Sequence, residues 1–509
     1  MTNKLTELNE LKEKLKKSSS EKQHSLGKMT ARERLEKLFD PGTFIETGAF
    51  VKHRAINFDM ENKDAPLEGV ITGYGQISGK LTYAFSQDFN VLNGSIGEMH
   101  AEKISECQKN AIKVGAPIIG IYDCGGIRIE EGLDALNSYG KVLKNTVNAS
   151  GVIPQISMVM GNCGGIISAN VAMSDFVFML DNLSYMYINA PDVISSTTNK
   201  NVDIDKLAGA KTHSSITGVA NIISSSEDKM IIDVKNLLTF IPQNNTERTE
   251  YVNTNDDLNR ISNELNNIIP NDKDTYDMKS IIISISDNNH FIEVSECFGL
   301  DIITGFIRLG GKAIGVVANN TSNAKNLLDN NSLTKAARFI RTCDSFNIPI
   351  LTFEDTEGFK VSLEEENNGL IKNISKLIYA YAEASVPLVT VITRKSYGGV
   401  YLSMCPKSIG ADVVYAWPSA CIGVLGAEGA VNIIYDKDIK ESKDYIKTYN
   451  DKINEYNEKY MNPYVAASRG YIDDIIEPRN TRKYLISAFD AFETKVILKS
   501  KRKHGNISL

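Results

Sequence analysis

The chain has little of what usually announces chemistry. Its 509 residues include one tryptophan and six histidines (His24, His53, His100, His213, His290, His504). Neither H-E-x-x-H nor G-x-S-x-G occurs, which argues against zincin-type metal catalysis and a serine nucleophile elbow. The seven cysteines (Cys107, Cys124, Cys163, Cys297, Cys343, Cys405, Cys421) are scattered and never spaced C-x-x-C. They predict no metal site and no disulfide framework, but reduced thiols of a cytoplasmic protein. A P-loop and a spaced G-x-G-x-x-G are missing too. Basic residues are outnumbered, 56 Lys+Arg against 63 Asp+Glu for a net charge of −7. That excludes a dedicated nucleic-acid binder, which needs a basic surface to neutralise phosphates. The first residues, MTNKLTELNELKEKLKK, lack the apolar core of a signal peptide.

What is present is a long chain of ordinary composition, 42% hydrophobic with 36 Gly and 13 Pro, able to bury large cores. One uncharged stretch, Asn145 to Ser174, is long enough to span a bilayer. It contains Pro154, Gln155, Asn162, Gly151, Gly161, Gly164 and Gly165, and so reads as a buried strand, a tight turn and a helix. No direct membrane insertion is expected.

The chain repeats itself. GAPIIGIYDCGG places a strand after Pro117 that ends at Gly125-Gly126, and NIPILTFEDTEG does the same from Pro349 to Gly358. GVIPQISMVMGNCGGI, with Pro154 and Gly164-Gly165, corresponds to SVPLVTVITRKSYGGV, with Pro387 and Gly398-Gly399. The offsets are 349 − 117 = 232, 387 − 154 = 233 and 398 − 164 = 234. Any α/β chain repeats strand–helix units, but landmarks in one order at nearly constant offset point to duplication. The expected fold class is therefore α/β, with short β-branched runs suited to buried sheets. Residues 1–40 read as a helical arm, 41–255 as a first domain, 256–280 as a polar linker and 281–509 as a second domain. The Asn/Asp-rich stretch around the linker is expected to be partly helical near Leu258 to Ile269.

Each half sets a Gly-Gly pair where an apolar strand meets a helix. Glycine admits positive φ and close ligand approach, and the first helical turn has unpaired N–H groups. Such a turn suits a developing oxyanion, for instance a thioester enolate, and two turns suit a reaction of two carbonyl substrates. A single Gly-Gly at such a turn is more often plain close packing. His213 in GAKTH reads as structural, and the run Glu364-Glu365-Glu366 as a solvated loop.

At these residues the sequence resembles the carboxyltransferase subunits of biotin-dependent acyl-CoA carboxylases and decarboxylases. The resemblance runs through GKMTARERLEKLFDPGTF (from Gly27), EGVITGYG (from Glu68), FSQDF (from Phe85), ASGVIPQIS (from Ala149) and GAKTH. It continues through TKAARFIRTCDSFNIP (from Thr334), VPLVTVITRKSYGG, YAWPSACIGVLGAEGAVNI and NPYVAASRGYIDDIIEPRNTR. YLSMC (Tyr401 to Cys405) and the ending KHGNISL are closer to the α-subunit of methylmalonyl-CoA decarboxylases than to other branches, with the propionyl-CoA carboxylase β-subunit next.

The resemblance implies two tandem crotonase-like domains, each a β-sheet spiral with surrounding helices, in a homohexamer built as a trimer of dimers. It implies a carboxyl group passing between biotin, on a separate biotin carboxyl carrier protein, and a short acyl-CoA such as methylmalonyl-CoA or propionyl-CoA. The other partner would be a biotin carboxylase or a membrane decarboxylase subunit. No biotinylation site is present, since Asp277-Met278-Lys279-Ser280 lacks its context. The motif carries the thioester-oxygen donors onto Gly165 and Ile166, and the biotin-oxygen donors onto Gly399 and Val400. Substrate contacts fall on Cys124, Gly125, Gly126, Ile127, Arg128, Gly164, Gly398 and Leu402.

The chain departs from the family at the pocket. G-P-C-A-G-G-A becomes Gly161-Asn162-Cys163-Gly164-Gly165-Ile166-Ile167, and D-S-G-G-A-R becomes Asp123-Cys124-Gly125-Gly126-Ile127-Arg128. D-x-P-G-F becomes Asp355-Thr356-Glu357-Gly358-Phe359. The helix G-I-I-R-H-G-A-K becomes Gly369-Leu370-Ile371-Lys372-Asn373-Ile374-Ser375-Lys376. A branched side chain beside the donors restricts φ and occupies space. Two alternatives to the family's reaction therefore stay open: a biotin-independent acyl-thioester enzyme of a biosynthetic pathway, and a non-catalytic paralogue that co-assembles with an active homologue.

Overall fold

The computed structural model describes residues 2–16, 20–270, 274–322, 326–498 and 502–508. The chain divides into two compact units, Met1–Glu247 and Arg248–Leu509.

The first unit carries strands β1 (Ile45–Thr47), β2 (Val70–Ile77), β3 (Lys80–Gln87), β4 (Ser95–Ile96), β5 (Ile118–Cys124), β6 (Gly126–Ile127), β7 (Gln155–Gly164), β8 (Phe176–Leu180), β9 (Tyr185–Tyr187) and β10 (Ile222–Ser224). The second carries β11 (Phe291–Val294), β12 (Ile302–Leu309), β13 (Lys312–Asn319), β14 (Leu327–Leu328), β15 (Ile350–Thr356), β16 (Gly358–Phe359), β17 (Leu388–Tyr397), β18 (Val413–Ala416), β19 (Cys421–Gly423) and β20 (Asp474–Ile475).

The main sheets run β1-β2-β3-β5-β7-β8-β10 and β11-β12-β13-β15-β17-β18-β20, with β9 added to β7 and β19 to β17. Even the two-stranded sheets repeat, β4 with β6 and β14 with β16. The duplication read from the offsets is thus present strand for strand.

Sequence explains the sheet. The β2–β3 hairpin turns at Ser78-Gly79, both at positive φ, and its strands pair antiparallel. Beyond β3 the pairing is parallel, and β5 and β8 are buried along their whole length. That burial is why they read as unbroken apolar runs rather than as alternating ones. Crossover helices Glu98–Val114 and Gly132–Ala149 pack against each other in the first unit, as Asn330–Ser345 and Leu370–Glu383 do in the second. Each unit also buries one lysine at the same place. Lys103 Nζ donates to the carbonyls of Leu67 and Val70 at 2.6 and 2.5 Å, and Lys335 Nζ to Ile302 O at 2.7 Å. Desolvation pushes both ammonium groups down to a pKa of about 8.

Two segments are packed into their units. Within the 1–40 arm, helix Ala31–Leu38 docks on the body of the first unit. It is closed at Thr30 by a capping box with Glu33, and it buries Arg34, Leu35 and Leu38 in the first unit. Within 256–280, Leu265, Tyr276 and Met278 belong to the hydrophobic core of the second unit, so the stretch is packed rather than spanning. Polar composition concealed this, because its few apolar residues are the ones that dock. The helix near Leu258 to Ile269 is a short 3-10 turn, Asn263–Asn267. The uncharged stretch 145–174 forms β7, a glycine turn and helix Ile166–Ala172, and no described helix is long and apolar enough to cross a membrane.

Candidate active site

Both glycine turns are built alike. After β7 the chain reverses at Gly165, whose φ of 68° and ψ of −146° need a residue without Cβ, and enters helix Ile166–Ala172. After β17 it does the same at Gly398, with φ 60° and ψ −132°, and enters helix Gly399–Ser403. Gly165 N–H donates to Tyr187 O at 2.8 Å, on β9; Gly398 N–H donates to Gly423 O at 2.9 Å, on β19. Serines tighten each turn: Ser168 Oγ donates to Gly165 O at 2.6 Å and Ser403 Oγ to Gly399 O at 3.0 Å.

This shifts the register expected from sequence. Gly165 corresponds to Gly398, not to Gly399, and its amide is already used. The N–H groups of Ile166 and Ile167 in the first turn, and of Gly399 and Val400 in the second, are among those without a hydrogen-bond partner among the described residues. Of the expected donors, Gly165 N–H is therefore occupied, while those of Ile166, Gly399 and Val400 have no partner among the described residues.

A short strap lies beside each turn. β6 carries Gly125-Gly126-Ile127 past the first, and a Cβ on Gly126 would come within 3.9 Å of Gly164 O. β16 carries Gly358-Phe359 past the second, and a Cβ on Gly399 would meet the Phe359 ring at 3.2 Å. Gly164 packs on the ring of Tyr187, and Gly125 on the carbonyl of Asn93, with no room for a side chain. Gly398 is closed likewise by Val424 O. Ile166 and Leu402 are exposed at the turns, at 40% and 44%.

Not every expected contact residue opens to the site. Arg128 is 1% exposed and fully engaged, with Glu68 at 2.5 Å, Glu131 at 2.6 Å and Ser95. It braces β4 against the start of helix Gly132–Ala149 and offers no free guanidinium. Cys124 is buried opposite Cys163 in the β5–β7 register. Its side chain belongs to the hydrophobic core of the first unit. Of the second-half departures, Lys372 is exposed, whereas Asn373 Nδ2 donates to Asn330 Oδ1 at 2.7 Å and ties two helices together.

The sequence reading missed the acids beneath the straps. Asp123 and Asp355 stand at matching register shifts, each facing a stretch where the neighbouring strand, β7 or β17, carries two extra residues. Asp123 accepts from Lys28 at 2.8 Å and Arg34 at 3.1 Å; Arg34 also binds Glu227 at 2.6 Å. Asp355 accepts from Tyr276 Oη at 2.8 Å, Arg394 Nε at 2.9 Å and Lys395 N at 3.0 Å. Both carboxylates are buried and ion-paired, Asp123 through Oδ2 alone and Asp355 through Oδ2 with Oδ1 accepting from the backbone. Beside Asp355, burial and that neighbour's charge push the Glu354 carboxyl well above the usual range, and Ser396 Oγ donates to it at 2.6 Å. The advance signals were a lone acid near the end of one apolar strand and an acidic pair in its counterpart. His213 is structural as read: one ring nitrogen donates to Met186 O at 2.8 Å, steadying β9. No group of His, Cys, Asp and Glu among the described residues could hold a metal ion.

A carboxyl transferase domain model matches residues 22–507. The methylmalonyl-CoA decarboxylase subunit alpha of Propionigenium modestum is 48% identical over 490 residues, covering 96% of this chain and 95% of that one. The methylmalonyl-CoA carboxyltransferase 12S subunit of Propionibacterium freudenreichii subsp. shermanii is 44% identical over 487 residues, covering 96% and 93%. Among solved structures, transcarboxylase 12S with methylmalonyl-coenzyme A and methylmalonic acid bound superposes with a TM-score of 0.98 at 43% identity, covering 100% and 98%. The two sheet-bearing units are crotonase-like, as the resemblance implied. The chain belongs to the carboxyl transferase family of acyl-CoA enzymes.

Proposed function

We propose that this chain is the carboxyltransferase subunit that moves a carboxyl group between biotin and a short acyl-CoA, methylmalonyl-CoA or propionyl-CoA. The observation that carries the reading is the doubled turn: adjacent unpartnered backbone amides at the start of a helix in each unit, fixed by closely similar backbone geometry, in a chain 48% identical to a methylmalonyl-CoA decarboxylase subunit.

The amides of Ile166 and Ile167 hold the thioester oxygen, where negative charge develops as the α-carbon becomes an enolate. Donors fixed in advance at that oxygen stabilise the transition state more than the ground state. The amides of Gly399 and Val400 hold the ureido oxygen of biotin, with the Phe359 ring closing one side. The residues fit that group, because the space beside Gly399 is one that a Cβ would fill. Biotin, when bound, supplies the ureido nitrogen that carries the carboxyl group and accepts the α-proton. With Asp123 and Asp355 neutralised, the chain itself need offer no side-chain base.

In this reading the subunit acts in the cytoplasm as a homohexamer. It takes biotin from a separate carrier protein and works with a biotin carboxylase or a membrane decarboxylase chain. Hexamer assembly is described for transcarboxylase 12S and fits a chain this similar. Incubating the purified protein with methylmalonyl-CoA tests the reading: CO₂ release should require added free biotin. Turnover indifferent to biotin, or none at all, would overturn it.

A further inference from the structure

The duplication supplies an internal reference for the first turn. Position 166 corresponds to Gly399, and position 127 on the first strap corresponds to Phe359 on the second. In the second unit, a Cβ added at Gly399 would point at the Phe359 ring from 3.2 Å. The first unit has a side chain at that place. It is Ile166, β-branched and 40% exposed, so the core does not absorb it. The same backbone geometry directs its Cβ toward the strap, where Ile127 is half-buried. Ile166 therefore stands at the mouth of the first turn, with the core-packed Ile127 behind it, where the second turn has no side chain and a flat ring close by.

The position matters because Ile166 also supplies one of the two unpartnered amides. An oxygen held at about 2.9 Å from that nitrogen brings the attached carbonyl carbon, and the α-carbon one bond further, within van der Waals reach of the isoleucine branches. Whatever substituent the α-carbon carries must share that space. Ile166 cannot swing away freely, since a β-branched residue in a helix has essentially one χ1 well.

We infer that Ile166, backed by Ile127, is a specificity-determining wall that limits the α-substituent of the acyl thioester. Hydrogen or methyl is accepted and ethyl or larger is rejected. The inference rests on the thioester reading of the first turn given above. One misfitting methylene in an apolar pocket changes kcat/KM by about 10–200-fold.

The test compares malonyl-, methylmalonyl- and ethylmalonyl-CoA as carboxyl donors to free biotin. Wild type should favour methylmalonyl- over ethylmalonyl-CoA by about tenfold or more. Ile166→Ala, which keeps the amide, should erase most of that ratio, and Ile127→Ala should move it in the same direction by less. A wild type that accepts both esters equally, or a ratio unchanged in Ile166→Ala, would overturn the inference. If no ester reacts with biotin, the carboxyltransferase reading fails and the wall is still read by binding. Calorimetric Kd values for propionyl-CoA and butyryl-CoA should differ by about tenfold in wild type and converge in Ile166→Ala. Equal wild-type values would refute the wall.

Discussion

Replacing Ile166 by proline removes one N–H from the first turn while leaving the helix intact. Ile166 is the first residue of its helix, the position where proline is best tolerated, because the lost N–H makes no intrahelical bond. That N–H has no partner among the described residues, so the folded protein forfeits no hydrogen bond of its own. Gly165 before it has no Cβ to meet the ring, and the side chain at 166 is 40% exposed, so neither neighbour nor core is crowded. The stability change should stay within about 1 kcal/mol, a midpoint shift of only a few degrees. Loss of one fixed donor to a developing oxyanion costs about 2.7–4 kcal/mol, or roughly 10²–10³ in kcat. The assay is biotin-dependent decarboxylation of methylmalonyl-CoA by Ile166→Pro, with Ile166→Ala as the control that keeps the amide. Activity of the proline variant within about threefold of the alanine variant, with an unchanged melting point, would refute oxyanion binding at this turn.

Other consequences concern the frame around the turn. Arg34 is 1% exposed between Asp123 and Glu227, so Arg34→Ala leaves the buried Glu227 without its cation while Asp123 keeps Lys28. It should cost about 3–5 kcal/mol, a drop of roughly 6–20 °C in the melting midpoint of the first unit by calorimetry. Burial pushes His100 down to a pKa of about 3, and its ring is held neutral between Glu68 O and Gln87. Its folded pKa lies below the unfolded value near 6.5, so the unfolded state takes up the proton first. Stability should fall as pH drops from about 6.5 toward 3, by up to about 1.4 kcal/mol per unit. Urea titrations of wild type and His100→Gln at several pH values isolate this contribution, which should vanish in the variant. Of the seven cysteines, Cys297 is exposed and Cys421 partly so, while the other five are buried. A thiol reagent on the native protein should label Cys297 first by peptide mapping, and fast labelling of Cys124 or Cys163 would contradict the placement of the β5 and β7 ends.

Much of the fold was legible because it is stated twice. The prolines that open β5, β7, β15 and β17, and the glycines that close them, sit at constant offsets, and the sheets repeat accordingly. The register at the turns was not legible. Gly164-Gly165 and Gly398-Gly399 look alike in sequence, but which glycine takes positive φ, and so which amide points back to β9 or β19, is backbone information. Arg128 looked like a substrate contact because it follows the glycine strap, yet Glu68, far away in sequence, claims it. The Asn/Asp-rich stretch before residue 280 looked like a linker, since composition averages away the few residues, Leu265 and Tyr276 among them, that anchor it. The pairing of Asp123 with Lys28 and Arg34 is likewise a tertiary fact that no local pattern carries.

Where the carboxyl group goes tests the central claim most directly. With carboxyl-labelled methylmalonyl-CoA and excess free biotin, the account predicts label on biotin and propionyl-CoA formed one for one with carboxybiotin plus the CO₂ it releases. Label passing straight to CO₂ at the same rate without biotin, or propionyl-CoA forming while biotin stays unlabelled, would contradict it.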